Sequence, residues 1–100
     1  MPDEAVRMEC NVAASAAVSA RLRKLVAELR ATGLLTAGDF ATLETIAARL
    51  RRDPLDFGEP LWRCRGQPLQ ARLAVVMPWA VIYTVRITGC LVFPHDFRRL

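Results

Sequence analysis

A chain of 100 residues builds one domain, and at that size a single core forms without a metal or a staple. The hydrophobic fraction of 53 % excludes a disordered chain. No apolar run reaches the ~20 residues of a membrane span, and the net charge of +4 favours an acidic or phosphate-bearing partner. Residues 1–50 carry six basic and six acidic side chains, whereas residues 51–100 carry eight and four. Thirteen of the basic residues are arginine, and Lys24 is the only lysine. The arginine fork suits phosphate and carboxylate, although a coding preference for arginine explains the bias equally well.

Cys10, Cys64 and Cys90 are widely spaced. They make neither a disulfide framework nor a CxxC metal pair, and they read as small buried hydrophobes. With no basic segment leading into an apolar one, no signal peptide is expected. The expectation is a cytoplasmic protein with no membrane contact, no metal and no other cofactor.

Along the chain, Ala5–Val12 alternates: Val6, Met8, Cys10 and Val12 on one face, Arg7, Glu9 and Asn11 on the other. That period of two predicts a half-buried strand. From Ala13 an alanine-rich helix runs to about Ala31, with Val18, Leu22, Leu25, Val26 and Leu29 as its apolar stripe and Gly33 as its stop. Thr36 and Asp39 have the spacing of a capping box. They open a second helix striped by Phe40, Leu43, Ile46, Ala47 and Leu50. Arg49, Arg51 and Arg52 crowd its last turn, where positive charge complements the helix dipole, and Asp53-Pro54 ends it. The short connection implies an antiparallel helical hairpin.

Leu55–Pro60 reads as a loop, and Leu61–Arg65 as a short strand with Arg63 and Arg65 on one face. Gly66-Gln67-Pro68 then turns the chain into its most apolar stretch. Valine, isoleucine, tyrosine and tryptophan favour strands there, and Met77-Pro78-Trp79 and Thr88-Gly89-Cys90 break the run. The result is an antiparallel meander of Leu69–Val76, Ala80–Ile87 and Cys90–Phe93, followed by a polar tail, Pro94–Leu100. The fold class is α+β: an N-terminal strand, an antiparallel helical hairpin, then a three- to four-stranded antiparallel sheet. The helices cover one sheet face, and the other is free with arginines on it.

Several pieces occur in a fixed order: Asp53-Pro54, Phe57-Gly58, Pro60-Leu61, Gly66, and then Pro78-Trp79-Ala80-Val81-Ile82-Tyr83. In that order and spacing the chain resembles the RelE/ParE superfamily, the small toxins of bacterial type II toxin–antitoxin pairs. The resemblance covers nearly the whole chain in element order and length. It implies a compact sheet with two helices on it, a cognate antitoxin that wraps the toxin, and action as a ribosome-associated mRNA endonuclease or translation inhibitor. Ala80 stands where many relatives carry arginine, and the C-terminal tyrosine of some RNA-cleaving members is absent. A ParE-like poison of DNA gyrase needs neither group. A third alternative is an inactive member that acts only as a binding module.

Cleaving RNA needs a base for the 2′-hydroxyl, a cation for the crowded phosphate and an acid for the leaving oxygen. His95, the only histidine, is the candidate base or acid. Arg72 and Arg86, on adjacent strands of the meander, are the candidate phosphate clamp and complete the catalytic set. Arg63, Arg65, Arg98 and Arg99 are the candidate RNA contacts. Each has a plainer reading, as a tail histidine in water or as the charge of a solvated sheet face. Tyr83 reads as core. Trp79 and Trp62 read as packed over the sheet edge, with stacking on a base as the alternative. No metal spacing, phosphate loop or nucleophile elbow is present.

Overall fold

The elements run β1 (Asn11–Val12), α1 (Ala16–Ala31), α2 (Ala37–Arg52), α3 (Pro54–Phe57), β2 (Glu59–Arg63), β3 (Leu69–Val76), β4 (Trp79–Arg86) and β5 (Leu91–Arg99). The structure, a computed structural model, describes residues 9–63, 66 and 68–100. The start of the expected first strand, Ala5 to Met8, lies outside them. The architecture is α+β as expected, and its sheet has five strands in the order β1-β5-β4-β3-β2. β1 is an edge strand parallel to β5, and the other pairs are antiparallel.

Local chemistry sets the helix ends. The ladder beside β5 continues past Val12, because Ala13 N donates to Val92 O at 2.8 Å. The first helix therefore starts at Ala16, where the Ser15 hydroxyl accepts from Val18 N. Gly33 then adopts φ 74°, a conformation that favours glycine, and the chain leaves the helix. The capping box of α2 forms as expected: Asp39 N donates to Thr36 Oγ1 and Thr36 N donates to Asp39 Oδ2. Pro54 ends α2 but also starts the single turn α3, a position where its missing N–H costs nothing. The segment expected to be a loop, Leu55–Pro60, is thus mostly helical turn and strand.

The meander is longer than expected, because β5 runs on through the supposed tail to Arg99. Pro94 is tolerated beside a register shift between Ile82 and Tyr83, where the regular ladder is interrupted. The turn between β3 and β4 is the dipeptide Met77-Pro78, joined by a cis peptide bond, with Val76 paired to Trp79.

Strand alternation divides the sheet into two faces. Trp79, Val81, Tyr83 and Val85 of β4 join Ala74, Val92, Ile46 and Leu50 in the core beneath the helices. Tyr83 is core, as expected, and its hydroxyl donates to Pro54 O at 2.6 Å. Burial raises its pKa. Trp79 is wholly buried rather than packed over an edge.

Gly58 marks the tightest approach. A Cβ there would stand 2.8 Å from Leu73 O and 2.8 Å from the Tyr83 hydroxyl. Gly58→Ala must push a backbone carbonyl aside, so a loss of about 1–3 kcal/mol is expected in urea unfolding. An unchanged urea midpoint would contradict this packing.

The cysteine reading needs correction. Cys10 and Cys90 form a disulfide, with Cα atoms 4.9 Å apart. The pairing of Asn11 with Leu91 brings the two residues before them side by side. A separation of 80 residues concealed this from any inspection of spacing. Cys64 lies outside the described residues.

Candidate nucleic-acid interface

The sheet face away from the helices is the candidate interface. Its rows follow from the register. One row is Leu69, Arg86, Leu91 and Asn11, and the next is Trp62, Ala71, Thr84 and Phe93. Glu59, Leu73, Ile82 and Asp96 make the third, and Val75, Ala80 and Arg98 the fourth. The face is therefore more apolar than a face of arginines would be.

His95 lies on this face. Its Nε2 is 2.6 Å from Thr84 Oγ1, its ring is exposed, and its carbonyl accepts from Arg21 at 2.6 Å. The first contact orients the imidazole, and the second ties β5 to α1. Arg86 stands two residues beyond Thr84 on the same face of β4, exposed to solvent. Arg98 is also exposed, with Nε 2.9 Å from Asp96 Oδ2. Asp96 is thereby spent on Arg98 and does not orient His95.

The expected clamp of Arg72 and Arg86 is not formed. Arg72 pairs with Tyr83 and so belongs to the helix face, whereas Arg86 pairs with Leu69 and belongs to the other. Arg72 gives its Nε and one terminal nitrogen to Gly58 O at 3.1 and 2.5 Å, and its other terminal nitrogen to Gln70 Oε1. It braces the β2 approach and does not face a ligand. The cause is one residue of register. A three-residue turn, Met77-Pro78-Trp79, would have set Arg86 opposite Gln70 and on the face of Arg72. The two-residue turn reverses that parity.

Arg99 also leaves the expected set. Its Nε donates to Asp39 Oδ1 at 2.7 Å, and Trp79 Nε1 donates to the same oxygen at 2.9 Å. The Asp39 carboxylate is fully shielded from solvent, and the guanidinium beside it, helped by the Thr36 amide, holds its pKa well below the usual carboxylate range. The capping-box motif identified Asp39 but not this second role. At the far end of α2, Arg49 pairs with Asp53 at 2.8 Å and lies 4.8 Å over the Phe57 ring, which stacks on Tyr83.

Of the other candidates, Arg63 ends β2 opposite Gln70, a register position on the helix side of the sheet and not on the free face as expected, and Arg65 lies outside the described residues. Trp62 is 55 % exposed, not packed over the sheet edge as expected. Among the described residues no three His, Cys, Asp or Glu side chains converge on a metal position, and no helix is long and apolar enough to cross a membrane. No family model, curated protein or solved structure matches the chain.

Proposed function

We propose that this chain is the toxin of a bacterial type II toxin–antitoxin pair of the RelE/ParE kind, acting on RNA at the ribosome. The observation that carries the reading is His95, held by Thr84 on the uncovered sheet face between Arg86 and Arg98. In this reading His95 moves a proton at the 2′-hydroxyl or the leaving oxygen, and Arg86 supplies the cation for the phosphate. Arg98 would hold the RNA backbone, whereas Arg63 pairs with Gln70 on the helix side of the sheet. Arg72 and Arg99 act in the fold instead.

The antitoxin has a fitting seat. α1, α2 and β5 enclose an apolar groove of about 170 Å³ lined by Val18, Leu22, Leu43, Leu50 and Phe97, with Arg51 also in its wall. An amphipathic segment carrying an acidic residue would fill it. A ribosomal target implies the cytoplasm.

The test is pulsed expression without antitoxin, following messenger RNA, protein synthesis and DNA replication separately. His95→Ala should lower RNA cleavage by roughly 10²–10⁴-fold, and Arg86→Ala should lower it as well. Full cleavage by His95→Ala would remove the histidine from the mechanism. A gyrase-poison reading is favoured by one observation: Arg72 spends its donors on Gly58 and Gln70, so a two-arginine clamp is missing. Gyrase-dependent DNA breaks without loss of messenger RNA would select it.

A further inference from the structure

We infer that Trp62 is a stacking platform for an unpaired base of single-stranded RNA on the uncovered sheet face. This deepens the RNA reading and rests on it.

A large aromatic ring exposed near the end of an edge strand needs an explanation, since the chain's other tryptophan is completely buried. Trp62 opens a row whose next members are small: Ala71, then Thr84. Phe93 closes the row on β5. Ala71 and Thr84 are buried, at 2 % and 8 % exposure, so the row is closed between its two aromatic ends. Trp62 itself, 55 % exposed, is the surface open to a flat ring. His95 contacts Thr84 in the same row, so a base stacked on Trp62 would direct its ribose and phosphate toward the imidazole.

Charge decides between RNA and a protein surface. Arg86 lies in the adjoining row, and His95 and Arg98 share the face. Glu59, the acidic residue of β2, sits at the opposite end of that strand. The aromatic row therefore lies beside Arg86, at the end of the face away from Glu59, where a phosphate backbone would run. Stacking on a tryptophan is tolerant of base identity and requires the base to be unpaired. Single strands should therefore bind irrespective of sequence, and duplexes should not.

The chain's two tryptophans make the test direct. Purified protein is titrated with a single-stranded oligoribonucleotide about eight nucleotides long, within the range that one such surface spans. Emission from exposed Trp62 should be quenched, while buried Trp79 stays unaffected. Trp62→Ala should raise the Kd roughly 10- to 100-fold. Trp62→Phe, which keeps a ring, should recover most of the affinity, and circular dichroism should show both variants folded. Equal affinity of Trp62→Ala and the parent protein would overturn the platform. So would a shift in Trp62 emission with protein concentration alone, accompanied by a dimer that Trp62→Ala dissolves, because the face would then belong to a second copy. Cleavage assays separate the two readings. Tryptophan-dependent binding without cleavage or translational arrest would sink the toxin reading and keep the platform. Cleavage with binding indifferent to Trp62 would do the reverse.

Discussion

Reducing the Cys10–Cys90 disulfide should lower the thermal midpoint by roughly 15 °C or more, because the bond closes a loop spanning most of the chain. Chain-entropy arithmetic for a separation of 80 residues gives about 4.5 kcal/mol at room temperature. For a domain of this size each kcal/mol moves the midpoint by ~4–8 °C. Calorimetry with and without reductant reads the effect directly. A Cys10→Ser, Cys90→Ser double variant should match the reduced protein and ignore reductant. In the oxidised protein Cys64 should be the one titratable thiol, and after reduction all three should titrate. Three free thiols before reduction, or identical midpoints, would remove the bond from the account. The loosening should begin at β1. That strand has two residues, and besides its ladder to β5 the disulfide and the bond from Cys10 N to Arg51 O hold this end of the chain.

Asp39→Ala should be similarly damaging. Its carboxylate collects Arg99, Trp79 and Thr36 from β5, β4 and the start of α2. Removing it strands a half-buried guanidinium and leaves a buried indole N–H without its acceptor. A fall of more than about 10 °C in midpoint is expected. The pH dependence has a definite sign. The folded pKa is depressed, so the carboxylate contributes fully above its unfolded value of about 3.9 and loses that contribution as the pH falls through the folded one. Acid unfolding below about pH 4 should therefore be steep in the parent and flatter in Asp39→Asn, which has no charge to lose. Parallel acid curves for the two proteins would show that the ion pair contributes nothing.

Elements set by local chemistry were readable from the sequence. Thr36 and Asp39 announced the start of α2, Gly33 the end of α1, and the apolar run Leu69–Phe93 the meander. Features that depend on long-range register were not. Pro94–Leu100 reads as a polar tail, because an isolated sequence cannot show the ladder irregularity that accommodates Pro94 in β5. Asp39 and Arg99 are 60 residues apart, and their meeting depends on β5 continuing to Arg99. The site suffered from the same blindness. His95 was identified as the candidate base, but Arg72 and Arg86 were set together by a turn one residue too long. Trp62 is visible as a residue type, and only the pairing with Ala71 places it on the uncovered face.

The two outer strands carry a further consequence. β1 offers two residues, too few to template a neighbour. β2 carries Pro60, a register irregularity between Pro60 and Trp62, and a charged residue at each end, Glu59 and Arg63. A proline lacks the donor, and an irregularity twists the backbone out of line for an incoming chain. Sheet-to-sheet fusion through either border is thereby discouraged. A protein with so apolar an outer face would otherwise polymerise by extending its sheet, but here the borders are blunted while the broad face stays available for a partner.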